Sequence, residues 1–258
     1  MSYHKLIHDV DEVLKFVNIL APLQPDEAYF MSMSARNKYL SDAERIQYGL
    51  GRIEMFARKL VKCSSHMENR DKVFLRVLRS MQVSRGGYTS KLDIPLPDKC
   101  MVVYANINPV SGRKALRLFQ NKVMDMMFNE RDDDFELYNM SKMDTLLMNC
   151  YQKSRGVRKF IDVDFDIPEL GIDIVRNFLG KMQNHGVKYY VIKTKSGFHV
   201  LLEKETIKYN YNKDIKFAHD LAQSRFGQDH VEVIQNKNEM VPVPGTYQAG
   251  CVVQMLEM

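Results

Sequence analysis

Three aspartates alternate with apolar residues in the segment KFIDVDFD, residues 159–166. In a β-strand successive side chains point to opposite faces, so Asp162, Asp164 and Asp166 lie on one face. Carboxylates held so close repel each other, and Mg²⁺ relieves that repulsion because it prefers one or two carboxylates together with substrate phosphate oxygens. The segment therefore predicts a metal site in which Asp162 and Asp164 are bridging ligands. Asp166 has a second reading as the cap of a helix that begins at Pro168.

A second segment, KTKSGFHVLL at residues 193–202, predicts a phosphate-binding site. Lys193 and Lys195 supply positive charge, and Ser196 offers its hydroxyl and its backbone N–H. Gly197 allows close approach of the backbone, and His199 is expected to donate to a triphosphate oxygen as an electrostatic stabiliser. Lys, Ser and Gly are also common in turns, so the alternative that these residues only form a turn remains open.

The predicted order of elements in the second half of the chain is β-α-β-β-α-β, which is the ferredoxin-like arrangement of RNA-recognition domains. The pattern predicts strands at 157–165, 188–193, 198–203 and 230–235, and helices at 168–185 and 212–227. In this topology the first strand is central, with the third and fourth strands antiparallel on either side of it. The aspartates are thus expected beside His199. Alternation with apolar neighbours also turns Glu232 to that face as the third carboxylate, and turns the competing Asp229 away.

The first half reads as mainly helical. Asp9 or Asp11 caps a helix that runs to about residue 20, and Ser41-x-x-Glu44 is a capping box before a helical stripe. That stripe is Ile46, Leu50, Ile53 and Leu60. Further helices are predicted at 68–83, at 111–128 and after Ser141-x-x-Asp144, with strands at 27–35 and 100–107. The acidic loop at 129–136 is interpreted as solvated.

The chain has 258 residues and a net charge of +5, which permits a nucleic-acid partner without requiring one. Basic residues recur on three predicted surfaces of the first half, and the alternative for each is the solvated face of an amphipathic helix. The candidates for nucleic-acid binding are Arg36, Lys38, Arg113, Lys114 and Arg117. The polar start is no signal peptide, no apolar run could span a bilayer, and the four scattered cysteines are typical of a reduced, cytoplasmic protein.

These motifs together resemble the archaeo-eukaryotic primase superfamily. The resemblance covers residues 160–250 and consists of Asp162-Val163-Asp164, Ser196-Gly197-Phe198-His199, Val231-Glu232-Val233 and the segment VPVPGT at 241–246. VVYANINP with the helix after it, and SARNKYL, look like the amino-terminal module of that family. The family makes or extends primers from nucleoside triphosphates on a DNA template.

The resemblance implies an α+β fold in which an N-terminal, mostly helical α/β module (1–150) packs on an RRM-like catalytic module (151–258). Asp162, Asp164 and Glu232 would hold Mg²⁺ or Mn²⁺, and Ser196 and His199 would contact the incoming nucleotide. The implied partners are a single-stranded DNA template, nucleoside triphosphates, and a helicase or accessory replication subunit. The implied activity is that of a DNA primase or primase-polymerase.

Two other classes of function remain as alternatives. A metal-dependent nuclease of the replication-initiator type uses the same topology, but it needs a pair of metal-binding histidines and a tyrosine nucleophile, whereas His199 has apolar neighbours. A non-catalytic nucleic-acid-binding module presents aromatic side chains for base stacking. Here the corresponding face presents carboxylates, which would repel a bare phosphate backbone.

Overall fold

The computed structural model describes residues 6–62, 69–84, 86–128, 142–227, 232–236 and 240–258. The protein is mixed α+β, and the described residues form seven helices and two antiparallel sheets. The helices are α1 Val10–Ile19, α2 Asp42–Tyr48, α3 Arg70–Arg79, α4 Gly112–Phe128, α5 Met143–Lys153, α6 Ile172–Asn184 and α7 Asn212–Phe226. The strands are β1 Glu27–Arg36, β2 Ile53–Val61, β3 Met101–Asn106, β4 Val110–Ser111, β5 Phe160–Asp166, β6 Tyr189–Lys193, β7 Phe198–Glu203, β8 Glu232–Asn236, β9 Met240–Pro242, β10 Tyr247–Gln248, β11 Cys251–Val252 and β12 Gln254–Leu256.

The first sheet has the strand order β11-β10-β3-β1-β2, with β4 also paired to β1 and β9 to β3. Strand β1 lies inside this sheet, between β3 and β2, and its ten residues EAYFMSMSAR are almost all buried. Strands β9, β10 and β11 come from the end of the chain, so part of the segment 151–258 is hydrogen-bonded to the sheet built by the first half. The division into modules at residue 150 stays a prediction, and sheet membership crosses it.

The second sheet has the order β12-β6-β7-β5-β8. Strand β5 lies between β7 and β8 and is antiparallel to both, which is the neighbourhood expected for the first strand of a βαββαβ unit. Val163, Phe165 and Val200 point to the face that α6 and α7 cover, where they form one core with Phe178 and Leu179 of α6. Period-two alternation therefore sends Asp162, Asp164 and Asp166 to the opposite face, as expected.

One element of the first half was predicted wrongly. The capping box of Ser41 and Glu44 is present, but its helix α2 ends at Tyr48, and Ile53 and Leu60 belong to strand β2. Gly49 ends the helix because it adopts the left-handed conformation, with φ of 58°. Residues 53–61 pair with residues 29–36 of β1, and this pairing overrides their helical spacing.

The remaining predicted elements of the described residues are confirmed within a few residues. Asp9 caps α1 through the backbone N–H groups of Asp11 and Glu12. The segment after Pro168 begins as a 3₁₀ turn and becomes α6 at Ile172. The predicted acidic loop, the cap at Ser141 and the competing carboxylate Asp229 lie outside the described residues.

The carboxylate-bearing face of the second sheet is not open to solvent along its whole length. Phe160, Ile192 and Leu201 of this face belong to the same apolar core as Tyr29 and Val103 of the first sheet. The two sheets thus pack against each other at one end of β5. The aspartates of β5 follow directly after this packed end, at the place where the sheets diverge.

Asn108 joins the two sheets at the start of β5. Its side-chain Oδ1 accepts the backbone N–H groups of Lys159 at 2.7 Å and Phe160 at 2.8 Å, and its Nδ2 donates to the carbonyl of Phe160 at 2.9 Å. The residue is 1% exposed. Asn108 therefore takes the place of a neighbouring strand for the first residues of β5.

We expect Asn108→Ala to lower the free energy of unfolding by about 2–4 kcal/mol, because three hydrogen bonds are lost and buried backbone groups keep no partner. Denaturant unfolding of the variant and the parent protein measures the change. Asn184→Ala, at the exposed end of α6, is the matched control and should stay within about 0.5 kcal/mol of the parent. Equal effects of the two substitutions would contradict this role of Asn108.

Candidate active site

A cleft of about 800 Å³ opens between the two sheets beyond their packed end. One wall is the first sheet, which contributes Arg36, Tyr104 and Asn106 among others. The other wall is the second sheet, which contributes carboxylates and His199. The charged side chains that line the cleft are Arg36, Lys38, Arg52, Lys153, Arg155, Asp164, Asp166 and Glu232.

Asp162 and His199 form a buried pair at the base of the cleft. Asp162 is completely buried, and its two carboxylate oxygens lie 3.2 and 3.1 Å from Nδ1 of His199. The same Nδ1 is 3.7 Å from a carboxylate oxygen of Asp164. The pairing of β5 with β7 causes this arrangement, since it sets Asp164 directly opposite His199. Asp162 therefore holds His199 and does not itself line the cleft.

The surrounding carboxylates keep His199 protonated. Burial by itself lowers the pKa of an imidazole, but Asp162 and then Asp164 raise it by more, so that the pKa of His199 is about 9. Nδ1–H donates to Asp162, which leaves Nε2–H as a charged donor for a ligand in the cleft. His199 is thus an imidazolium at neutral pH.

Asp164, Asp166 and Glu232 form the carboxylate wall of the cleft. Glu232 on β8 is directly opposite Asp166 in register, so both side chains are on the same face of the sheet. Burial raises the pKa of Asp164, His199 opposes that shift, and the charges of Asp162 and Asp166 add to it. Glu232 is exposed while its neighbour Val233 is buried, which is the alternation that the sequence predicts.

Cationic side chains of the first half face this wall. Lys38 donates to the hydroxyl of Ser196 at 3.1 Å and lies 3.7 Å from a carboxylate oxygen of Asp166. Arg36 donates through Nη1 to the hydroxyl of Tyr104 at 2.6 Å, and its buried Nε has no hydrogen-bond partner among the described residues. Asp166 itself lines the cleft. The interpretation of Asp166 as a helix cap is wrong, because the turn after Pro168 has no side-chain cap.

A hydrogen-bonded tie fixes the turn at 194–197 to the first sheet. Gln248, which is 3% exposed, accepts the backbone N–H of Lys195 at 2.8 Å and donates to the hydroxyl of Tyr39 at 2.8 Å. The side chain of Lys195 crosses the same junction, since Nζ donates to the carbonyl of Ala249 at 3.1 Å. The turn is therefore hydrogen-bonded to the first sheet as well as connected to its own strands.

Gly197 is required by the close approach of this turn to β5. A Cβ atom at this position would lie 1.9 Å from the backbone oxygen of Phe165. The sequence predicts Gly197 as a place where the backbone comes close to a ligand, whereas here the close neighbour is the chain itself. Its contribution to the site is to bring Ser196 to the edge of the cleft.

The predicted site residues divide into three groups. Asp164, Glu232, Ser196, His199, Arg36 and Lys38 line the cleft, with Asp162 buried directly beneath it. Lys193 is paired with Glu169 and, like Lys195 and Gly197, lines a smaller neighbouring cavity of about 310 Å³. Arg113, Lys114 and Arg117 are exposed on α4 and are not among the residues that line the cleft.

Several cleft residues carry no signal in the sequence. Gln248, Arg52 and the neighbouring residues Lys153 and Arg155 come from three separate segments, and only the packing of the sheets brings them together. Gln248 lies two residues after the segment VPVPGT, which is the nearest hint. The others look like ordinary surface residues.

The carboxylate wall offers the donor type that a hard divalent cation prefers. Within the described ranges, no group of three or more His, Cys, Asp or Glu side chains comes close enough to hold a metal ion. Mg²⁺ usually needs only one or two protein carboxylates and takes its other oxygens from substrate phosphates and water. Asp164 and Asp166 lie two residues apart on one face of β5, and Glu232 is opposite Asp166 in register, so each offers oxygen donors to the cleft.

Comparison with models of protein families, with curated proteins and with solved structures yielded no match. Among the described residues, none of the helices is both long enough and apolar enough to span a bilayer.

The pKa of His199 predicts how stability depends on pH in the metal-free protein. Since the folded-state pKa of about 9 exceeds the ordinary value of about 6.5, the stabilisation is complete below about pH 6.5 and is lost as the pH rises through about 9. We expect the difference in unfolding free energy between the parent and His199→Gln to shrink over that range. Denaturant unfolding at several pH values measures it, and His219→Gln on α7 is the control. A difference that grows with pH would contradict the prediction.

The tie through Gln248 predicts local protection of the turn. Gln248→Leu removes the acceptor of the Lys195 N–H, so we expect hydrogen exchange of this amide to accelerate by at least about tenfold, which corresponds to about 1.4 kcal/mol of lost protection. Mass spectrometry or NMR of the 194–197 turn reads this out. Gln183→Leu on the exposed surface of α6 should leave the exchange rate unchanged. Unchanged exchange in the Gln248 variant would show that the turn does not depend on the tie.

Proposed function

We propose that this protein is a metal-dependent, template-directed nucleotidyltransferase, a primase or primase-polymerase that makes or extends primers from nucleoside triphosphates. The observation that carries the proposal is the opposition of charges in one cleft. Asp164, Asp166 and Glu232 line one wall, and Arg36 and Lys38 line the other. A complex of a divalent cation with a triphosphate is complementary to both walls, because it presents positive charge to one and negative charge to the other.

The size of the cleft supports the same class of substrate. Pockets for small molecules and cofactors measure roughly 300–1,000 Å³, and the volume of about 800 Å³ lies in the upper part of that range. The motifs at Asp162–Asp164, at Ser196–His199 and around Glu232, which prompted the resemblance to archaeo-eukaryotic primases, all lie at this cleft or directly beneath it. The proposed fold is accordingly that of a primase domain, with the RRM-like unit as its catalytic part.

Each residue of the site has a role in this proposal. Asp164, together with Asp166 or Glu232, would hold Mg²⁺ or Mn²⁺, which when bound would activate an attacking 3′-hydroxyl and stabilise the leaving pyrophosphate. Lys38 and Arg36 bind phosphate oxygens, and Ser196 adds a hydroxyl donor at the edge of the cleft. His199, whose pKa of about 9 keeps both ring nitrogens protonated at neutral pH, would donate Nε2–H to the triphosphate while its Nδ1–H donates to Asp162.

We expect Asp164→Asn to reduce metal-dependent nucleotide incorporation by at least about 100-fold. The lost carboxylate would no longer position the metal ion, and the metal stabilises the transition state by several kcal/mol. The assay uses primed and unprimed single-stranded DNA, labelled nucleotides, and Mg²⁺ or Mn²⁺. Asp220→Asn, an exposed residue of α7, is the control and should retain parental activity. The unprimed template separates a primase from an enzyme that only extends.

Two results would contradict the proposal. Cleavage of the template without synthesis would favour the nuclease class. Binding of nucleic acid with neither activity would favour a non-catalytic module. Parallel assays of Glu232→Gln and Asp166→Asn identify which of these two carboxylates acts with Asp164.

A further inference from the structure

Helix α4 exposes more large apolar side chains than any other element of the described residues. Five of the thirteen that are exposed in the described part of the chain belong to this helix of 17 residues, namely Leu116, Leu118, Met124, Met127 and Phe128. Of its other residues, only Gly112 and Ala115 are fully buried. Single exposed apolar residues are ordinary, whereas a concentration of them rimmed by polar residues marks an interaction site.

Within the described ranges, helix α4 packs through one side. Ala115 and the half-buried Phe119 join a small apolar core with Leu147 and Met148 of α5. Since an α-helix turns once every 3.6 residues, positions 113, 117, 124 and 128 lie within about 60° of one another, on the side opposite to this core. Positions 116 and 127 lie beside them. The outer face of α4 is defined by these six side chains, which are Arg113, Leu116, Arg117, Met124, Met127 and Phe128.

The outer face of α4 is positively charged at its amino-terminal end. Arg113 and Arg117 are one helical turn apart and exposed, and neither makes a hydrogen bond or an ion pair with another described residue. A guanidinium group presents its donors in a planar fork that matches a carboxylate. Two such groups one turn apart therefore match two carboxylates at positions i and i+4 of another helix.

The apolar part of the outer face follows the charged part along the helix. Met124 and Phe128 are again one turn apart, and Phe128 is 75% exposed while Met127 is 67% exposed. Methionine side chains are flexible and polarisable, which allows them to pack against apolar partners of different shapes. From position 113 to position 128 the helix rises roughly 22 Å. A complementary ligand of that length has carboxylates at one end and large apolar side chains at the other.

We propose that the outer face of α4 binds an acidic amphipathic helix of a partner protein. Two carboxylates of the partner, one turn apart, pair with Arg113 and Arg117. Its large apolar side chains pack on Met124, Met127 and Phe128. Recognition of an amphipathic helix through apolar anchors at i, i+3 or i+4, and i+7 is a recurring mode of peptide binding. The outer face lies outside the cleft, so this inference does not depend on the reaction that the cleft carries out.

The order of residues on this face disfavours the two competing ligands. A helix that lies in a membrane surface keeps its cations on the polar side and its apolar residues on the other side. Here Arg113 and Arg117 share one line with Phe128, so insertion of that line would carry the guanidinium groups into the acyl chains. A nucleic-acid backbone accounts for the two arginines, but it leaves the apolar half of the outer face exposed to water.

The test is fluorescence anisotropy with a labelled synthetic helical peptide of about 18 residues. Its first two turns carry glutamates at i and i+4, and its last two turns carry leucine and phenylalanine on the same side. We expect Arg113→Gln/Arg117→Gln to bind this peptide at least about fivefold more weakly than the parent, because two ion pairs are lost. Phe128→Ser should weaken binding by at least about tenfold, because an aromatic anchor is lost.

Two matched variants control for charge and for apolar surface. Lys213→Gln/Lys216→Gln removes two exposed charges from α7, and Ile46→Ser removes a side chain of α2 that is 81% exposed. Both should bind the peptide within about twofold of the parent. Equal thermal midpoints of all variants show that each is folded.

A second peptide, in which glutamine replaces each glutamate, isolates the ion pairs. It should bind the parent and Arg113→Gln/Arg117→Gln with affinities within about twofold of each other, because the pairs are already absent in both complexes. In about 1 M salt the defect of the arginine variant with the acidic peptide should also fall to within about twofold, since salt screens exposed charges. The defect of Phe128→Ser should persist.

Several results would overturn the assignment. They are no binding of the acidic peptide by the parent, equal weakening by the control variants, or binding that Phe128→Ser leaves unchanged. Oligo-dT and vesicles that contain phosphatidylserine are measured in parallel. Binding of either one that Arg113→Gln/Arg117→Gln abolishes, without binding of the acidic peptide, assigns the face to a nucleic acid or to a membrane instead. The assay needs neither metal nor nucleotides, so its outcome is separate from that of the incorporation assay.

Discussion

The complete burial of the Asp162 side chain is the constraint on which the site depends. A carboxylate removed completely from water must have a charged or hydrogen-bonding partner, and here the partner is the imidazolium of His199. The pair spans β5 and β7, so it also favours the register that sets His199 opposite Asp164. Its position marks the boundary between two parts of one sheet face. Below it the face is apolar and packed, and beyond it the face is polar and lines the cleft.

The cleft exists because the two sheets are joined at limited places. The apolar contact around Phe160 and Leu201, together with the hydrogen bonds of Asn108, holds the start of β5 to the first sheet. At the other end, Lys38, which follows β1, and Gln248 of β10 join the first-sheet side to the turn at 194–197. Between these junctions the walls stay apart. Their charges are opposite in sign, and a ligand with both metal and phosphate groups satisfies the two walls at once.

This arrangement divides the proposed chemistry between the sheets. The second sheet contributes rigid, closely spaced carboxylates on paired strands and a histidine whose protonation is maintained by its neighbours. The first sheet and α5 contribute the long cationic side chains that line the cleft. A site assembled in this way requires the two halves of the protein to be present together, since neither wall is complementary to a metal–nucleotide complex alone.

Local patterns in the sequence were sufficient for much of the second sheet. The alternation of Asp162, Asp164 and Asp166 with apolar residues, and of His199 with Phe198 and Val200, assigned strands and faces correctly because a strand has a fixed period of two. The capping box at Ser41 was also correct. The same spacing rules failed at Ile53 and Leu60, where pairing with β1 decided the conformation after Gly49 had ended the helix. Helical spacing in the sequence does not decide the conformation of a segment when a neighbouring strand can form a continuous row of hydrogen bonds with it.

The sequence by itself thus determined which residue types face the cleft from β5, β7 and β8, since side-chain direction within a strand follows from local geometry. Only the tertiary structure decided that Asp162 is buried beneath the site, and that Asp166 belongs to the cleft. It also brought Gln248, Arg52 and Lys153 there while leaving Arg113 and Arg117 outside. The physical reason is that these placements depend on how two sheets pack across long separations in the chain. Contacts of that kind leave no periodic signal in any short segment.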